Sequence, residues 1–304
     1  MMFNLLAAVG RFIRATFSFI SYTINTLFWA TPIFILSVFK LIPLKVTRKY
    51  ISMALDFCAS GWVSVNTGIQ KFFADYKIHV SGDTNLSKKD WYLVLANHQS
   101  WTDILILQRV FNGQIPFLKF FLKRELIYVP VLGLAWWALD FPFMRRYKKE
   151  FLAKHPHLKG KDLETTKKAC EIFKFKPVSV MNFIEGTRFT KEKHERQESP
   201  YQGLLKPKSG GIGFVLTVMG EQLHKVVDVT IYYPNKIPTF YNFISGRLKN
   251  VYLHVNLHEI TSDLLGDYAN DMEYKKRLHQ WVNKVWLEKE QTLLRLQKQA
   301  EVAK

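Results

Sequence analysis

The stretch Asn97-His98-Gln99-Ser100-Trp101-Thr102-Asp103 sets a histidine ahead of an acid at a spacing that lets the two work as a base near neutral pH. A carboxylate that accepts the Nδ1 proton of a histidine fixes its tautomer, leaves Nε2 as an acceptor and stabilises the imidazolium formed when Nε2 takes a proton. The chain lacks a Gly-x-Ser-x-Gly nucleophile signature, and its two cysteines, Cys58 and Cys170, stand apart from this segment. His98 would therefore act on a substrate hydroxyl directly. The same residues also fit a plainer reading: a strand-end histidine bonded to a nearby carbonyl, with Asp103 no more than a helix-start acid.

A second segment bears on that choice. Lys176 to Ile184 reads as a strand and ends in Glu185-Gly186-Thr187-Arg188. Arginine offers a two-pronged fork for phosphate, glycine lets the backbone approach closely, and threonine adds a hydroxyl and an amide. The plain alternative is a Glu185–Arg188 ion pair on a surface turn.

Together and in this order, the two segments resemble the glycerol-3-phosphate and lysophosphatidic acid acyltransferase superfamily. Its N-H-x4-D pattern matches Asn97, His98 and Asp103, and its F-P-E-G-T-R block appears as Phe183-Ile184-Glu185-Gly186-Thr187-Arg188. Lys123-Arg124-Glu125-Leu126 with Pro130 and Gly133 resembles K-x-E-L-x-x-x-P-x-x-G, and Phe143-Met144-Arg145-Arg146 stands in the place of an arginine-containing block. Ile184 replaces the usual proline. Val227-Asp228-Val229-Thr230-Ile231 resembles the branch holding lysocardiolipin and related lysophospholipid acyltransferases, together with a bacterial paralogue of the main lysophosphatidate enzyme.

The resemblance implies acyl transfer from acyl-CoA or acyl-carrier protein to the free sn-2 hydroxyl of lysophosphatidic acid, or to another lysophospholipid. It makes His98 the general base, oriented by Asp103. Glu185, Gly186, Thr187 and Arg188, with Arg145 and Arg146, would form the acceptor's phosphate site, Glu185 holding Arg188 in position. Lys123 and backbone amides near Gly186 would meet the oxyanion. Trp136, Trp137 and Phe141 fit either an acyl tunnel or, as buried aromatics more often do, the core. No cofactor or metal is expected.

The elements that must position these residues follow from hydropathy. Trp91 to Ala96 reads as a buried strand and Asp103 to Leu107 opens a helix; Ser100 and Asp103 form a capping box with Asp in the place of Glu, so the helix should start near Ser100 with His98 just outside it. The expected fold class is α/β: a mixed sheet flanked by helices over residues 76–265, its active residues at strand ends. A membrane-anchoring helical module over 1–75 precedes it, and a basic amphipathic helix over 266–304 follows.

Ala15 through Phe39 carries no charge, more than the roughly 20 apolar residues that a spanning helix needs. Thr31-Pro32 should kink or break it, so a re-entrant hairpin rivals a single span. Tyr50 to Tyr76 reads as an amphipathic helix at the lipid interface. The net charge of +18 asks for an anionic neighbour. With this apolar run, and without base-stacking aromatics among the basic residues, anionic membrane lipid is the expected partner rather than nucleic acid; the bacterial inner membrane, with the catalytic domain on its cytoplasmic face, is the expected location. A non-catalytic basic membrane-binding protein is the reading of a different class.

Minor features receive plain readings. Asp162 to Phe173 is expected to be helical and Lys191 to Pro200 a solvated loop. Lys206-Pro207-Lys208-Ser209-Gly210-Gly211-Ile212-Gly213 has amides suited to phosphate but no nucleotide-binding pattern. His254 and His258 are expected to be structural, since no third metal ligand is evident.

Overall fold

The computed structural model describes residues 2–42, 44–74, 76–144, 170, 173 and 176–302. Arg145, Arg146 and most of the helix expected at Asp162–Phe173 lie outside the described residues.

Two long helices come first, α1 (Met2–Phe39) and α2 (Lys45–Phe73). The helix α1 runs through Pro32 without a break, so no hairpin forms within Ala15–Phe39. Proline removes the backbone donor that would serve Phe28 O, while neighbouring Thr31 Oγ1 adds a bond to Leu27 O at 3.1 Å. The hairpin forms instead between α1 and α2. Asn25 Nδ2 donates to Trp62 O at 3.0 Å and to Asn66 Oδ1 at 2.8 Å, while Trp62 Nε1 donates to Thr26 Oγ1 at 3.1 Å. Buried between apolar helix faces, such bonds fix the register that shapeless hydrophobic contact leaves open. Leu5 to Phe39 is long and apolar enough to cross a membrane. The second helix starts five residues before the expected Tyr50.

A six-stranded mixed sheet follows, built from β1 (Lys77–Gly82), β2 (Tyr92–Ala96), β3 (Leu118–Phe120), β6 (Ser179–Phe183), β7 (Lys225–Tyr232) and β8 (Asn250–Glu259), in the order β1-β8-β7-β2-β6-β3. A two-stranded ribbon, β4 (Leu122–Lys123) and β5 (Phe143–Met144), lies apart. In the main sheet only β7 and β8 pair antiparallel. β2 is central, with Ala96 opposite Phe183 on one side and Val229 on the other.

Both faces of the sheet are covered, so β2 reads Tyr-Leu-Val-Leu-Ala with no polar alternation. Tyr92, Val94 and Ala96 pack with Val227, Val229 and Ile231 against α1, α2, α3 (Thr102–Phe111) and α4 (Leu132–Ala138). Leu93 and Leu95 face the opposite layer, with Ile212 and Val215 of α6 (Gly210–Met219) and Leu278, Val282 and Trp286 of α8 (Met272–Val302). Thus the basic amphipathic helix α8 packs on the sheet through Leu278, Val282, Val285, Trp286 and Leu293, with Trp281 half-buried. Residues Lys191–Arg196, expected as loop, form a short helix, α5, because Thr190 caps it by accepting from Lys193 N.

Ion pairs tie the hairpin to the sheet. Lys40 at the end of α1 meets Asp140 Oδ2 at 2.6 Å. Asp56 of α2 is clamped by Lys119 of β3, at 3.2 Å, and by Lys176 just before β6.

Candidate active site

The site begins where β2 stops. Asn97 is fully buried, and its side chain continues the ladder to β7 in place of backbone: Nδ2 donates to Ile231 O at 2.9 Å and Oδ1 accepts from Ile231 N at 2.8 Å. This locks the turn that carries His98.

His98 Nδ1 donates to Asp103 Oδ2 at 2.8 Å. The same oxygen accepts from Gln99 N at 2.7 Å and Ser100 N at 2.8 Å, the second bond being the reciprocal half of the predicted capping box. Ser100 Oγ accepts from Thr102 N at 3.2 Å, although the helix itself starts at Thr102 rather than near Ser100. Asp103 is fully buried, and the His98 side chain keeps 13% of its surface exposed. The proton on Nδ1 leaves Nε2 a lone-pair acceptor, with no hydrogen-bond partner among the described residues. The ring stacks on Phe183 of β6, centroids 3.9 Å apart.

The turn after β6 lies alongside. Phe189 N donates to His98 O at 2.7 Å, joining the two segments. Gly186 has φ +70, a backbone conformation that other residues adopt only under strain, and a side chain there would press on Lys208 Nζ at 3.2 Å. Lys193 Nζ donates to Thr187 Oγ1 and Arg188 O, both at 2.9 Å. Arg188 is exposed, its guanidinium stacked 4.8 Å above the Trp101 ring, which is itself 54% exposed. Three cations thus surround one turn next to an unoccupied imidazole edge, a setting suited to an anionic, hydroxyl-bearing substrate.

An open apolar pocket lies between α1, α2, α3 and α4, walled by Trp29, Ile33, Ala59, Trp136, Leu139 and Phe141 among others. Stacked rings lead to it from the base: His98 on Phe183, Phe183 at 6.2 Å from Phe120, and Phe120 at 6.3 Å from Phe141.

Comparison with known proteins gives this geometry a lineage. A sequence model of the acyltransferase family matches residues 77–233. The chain belongs to the acyltransferase family. It is similar to 1-acyl-sn-glycerol-3-phosphate acyltransferase 3 of Arabidopsis thaliana, at 27% identity over 64% of this chain and 54% of that protein. It is also similar to lysocardiolipin acyltransferase 1 of Gallus gallus, at 23% identity over 79% and 62%. A crystal structure of the 1-acyl-sn-glycerophosphate acyltransferase of Thermotoga maritima is a distant likeness, with 16% identity and a TM-score of 0.49 over 92% of this chain and 97% of that one. The chain spans 54% to 62% of the length of the first curated relatives.

Not every residue of the acyltransferase motifs stands where the sequence suggested. Glu185 is fully buried and makes no ion pair with Arg188, whose stacking partner is Trp101. Neither carboxyl oxygen of Glu185 has a hydrogen-bond partner of ordinary geometry among the described residues, although the amides of His98 and Leu205 lie near enough to favour its ionised form. Burial outweighs them and holds its pKa well above the usual carboxylate range, and the side chain is shut off from solvent. The Gly186 amide donates to Phe183 O at 2.9 Å and is already engaged within the turn. Lys123 is exposed on the separate ribbon, with no hydrogen bond or ion pair to the site among the described residues. Trp136 and Phe141 line the cavity, whereas Trp137 is exposed and does not.

Gly211 and Gly213, read as possible phosphate amides, let α6 lie close: a side chain there would meet Asn182 Nδ2 at 2.6 Å or the Tyr268 ring at 2.1 Å. His254 is held by Ser81 Oγ at 2.9 Å, Asn256 Oδ1 at 3.0 Å and Arg295 at 3.0 Å, and His258 packs edge-on to Trp281. Among the described residues no three His, Cys, Asp or Glu side chains are grouped to hold a metal.

Two buried residues escaped the sequence reading. Tyr233 OH donates to Asp103 Oδ1 at 2.6 Å, and burial followed by the Asp103 charge pushes its pKa well above the ordinary tyrosine value. Period-two alternation from Val227 through Val229 and Ile231 would have placed it on the α3 side of the sheet. Lys289 of α8, fully buried, donates to Val229 O at 2.6 Å and sits 2.8 Å from Asp228 Oδ1, an ion pair by distance whose angle falls outside hydrogen-bond geometry. A lysine at a core position on a basic helix leaves no sequence signal that separates it from its solvated neighbours.

Proposed function

We propose that this protein transfers a fatty acyl group from a thioester, acyl-CoA or acyl-carrier protein, to the free sn-2 hydroxyl of lysophosphatidic acid, giving phosphatidic acid. The observation that carries this reading is the buried Asp103 holding His98 Nδ1 while Nε2 stays open beside a turn ringed by Arg188, Lys193 and Lys208. In the reaction Nε2 takes the hydroxyl proton as the oxygen attacks the thioester carbonyl. The tetrahedral oxyanion collapses with cleavage of the C–S bond, and the departing thiolate takes the proton back from Nε2. Arg188 binds the acceptor's phosphate and so sets the distance between its hydroxyl and the base. The acyl chain takes the apolar pocket between the hairpin and α4, to which the aromatic path from His98 leads.

The net charge of +18 and the long apolar α1 support action at an anionic membrane surface, the inner membrane of a bacterium with the sheet on its cytoplasmic side. The same chemistry on lysocardiolipin, lysophosphatidylglycerol or lysophosphatidylinositol is the second reading, favoured by the likeness to lysocardiolipin acyltransferase 1.

The test is transfer of labelled acyl groups from acyl-CoA and from acyl-carrier protein to a panel of lysophospholipids by detergent-purified protein. Transfer to lysophosphatidate that His98→Ala abolishes supports the proposal. Transfer to another headgroup alone changes the acceptor and keeps the mechanism, while no transfer at all from the folded protein points to a non-catalytic membrane-binding role.

A further inference from the structure

We infer that Tyr233 is a positioning residue for the reaction: its hydroxyl locks the Asp103 carboxylate in the orientation that aims His98 Nε2 at the acceptor. This rests on the proposal that His98 is the base. The two oxygens of Asp103 are used unequally. Oδ2 accepts from His98 Nδ1, Gln99 N and Ser100 N, whereas Oδ1, among the described residues, accepts from Tyr233 alone, at 2.6 Å. Thr102 Oγ1 lies 3.1 Å from the same hydroxyl. With Tyr233 donating to the carboxylate, Thr102 donates to Tyr233, and a two-hydroxyl chain ends on Asp103.

All three side chains are buried, so no solvent can replace a lost donor. Without the Tyr233 hydroxyl, Oδ1 is an unsatisfied anionic oxygen, and rotation about Cβ–Cγ brings it toward the donors now held by Oδ2. The imidazole then loses its single aim. The arrangement ties the base to the far end of β7 (Lys225–Tyr232), one residue past the strand. Tyr233 touches no substrate atom in this scheme and acts only through Asp103.

The test compares Tyr233→Phe with Tyr274→Phe, each of which keeps its ring and removes one buried hydroxyl. Tyr274 OH donates to Leu264 O at 2.8 Å, in the layer beneath the opposite face of the sheet. At saturating donor and acceptor, Tyr233→Phe is expected to lower kcat about 10- to 100-fold with KM for both substrates nearly unchanged, and Tyr274→Phe to leave kcat at the wild-type value. The Nδ1 proton of His98, observed by NMR on histidine-labelled protein and assigned by its loss in His98→Asn, should shift upfield in Tyr233→Phe and stay put in Tyr274→Phe. Equal kcat losses in the two variants, or an unmoved resonance in Tyr233→Phe, would overturn the assignment. Should the wild type transfer no acyl group, the functional reading fails by itself, and the resonance alone decides the role of Tyr233.

Discussion

Replacing Asp103 with asparagine separates the charge of the His–Asp pair from its geometry. The fold can accept the change: with the amide carbonyl turned to His98, Gln99 and Ser100, all three N–H donors keep an acceptor, and the NH2 group faces Tyr233, whose hydroxyl can then donate to Thr102. The tautomer of His98 is preserved, because a carbonyl still accepts from Nδ1. Only the negative charge is lost, and it matters when the imidazolium forms. For charge centres about 4 Å apart at an effective dielectric of about 20, that attraction is worth about 4 kcal/mol. Withheld from the transition state, it lowers kcat about 10³-fold. The assay is single-acceptor acyl transfer at saturating substrates, with circular dichroism to verify folding and acceptor KM as a control that should hardly move. An Asp103→Asn protein that is folded and keeps more than about a tenth of wild-type kcat would refute the argument, since the charge would then contribute under ~1.4 kcal/mol.

Three further outcomes follow from the same contacts. Arg188→Ala removes charge-assisted bonds worth about 1.5–3 kcal/mol, so acceptor KM should rise about 10- to 150-fold with a smaller change in kcat; steady-state kinetics on phosphate-bearing lysolipid checks it. Burial raises the Glu185 pKa, so its contribution to stability is full below the unfolded value near 4.5 and is lost as pH rises toward the folded value; Glu185→Gln should therefore gain in Tm over wild type as pH goes from about 5 to 9, and a constant difference would show that the group is ionised throughout. Lys289→Met strands the buried Asp228 carboxylate and should cost about 3–5 kcal/mol in denaturant unfolding, most of it recovered in the Asp228→Asn, Lys289→Met double variant.

Much of this arrangement was legible in the sequence because it is local. The strand before His98, the reciprocal Ser100–Asp103 cap and the turn at Glu185 are each set by residues within a few positions of one another. What escaped was decided by distant partners. Glu185 and Arg188 sit three apart and invite an ion pair, yet the strand end points one inward and the indole of Trp101 takes the other. Pro32 marks a break in a soluble helix, but here a helix packed on a partner runs through it. Tyr233 meets Asp103 from 130 residues away and Lys289 meets Asp228 from the last helix, and no spacing rule links the members of either pair.

The raised pKa of Glu185 bears on how the two halves of the site coexist. Asp103 must stay anionic to serve His98, and the neighbouring turn must stay positive to hold a phosphate. An ionised Glu185 would put a second negative charge beside Asp103, whose own charge already raises the pKa of Glu185, and behind the very turn that carries Arg188. Burial of Glu185 disfavours that charge without removing the residue. The parallel pairing of β2 with both β6 and β7 sets the anionic pair and the cationic turn on one edge, and Phe189 N binds one directly to the other. In the proposed reaction a hydroxyl beside a phosphate would meet a base and its counter-charge on adjacent strand ends.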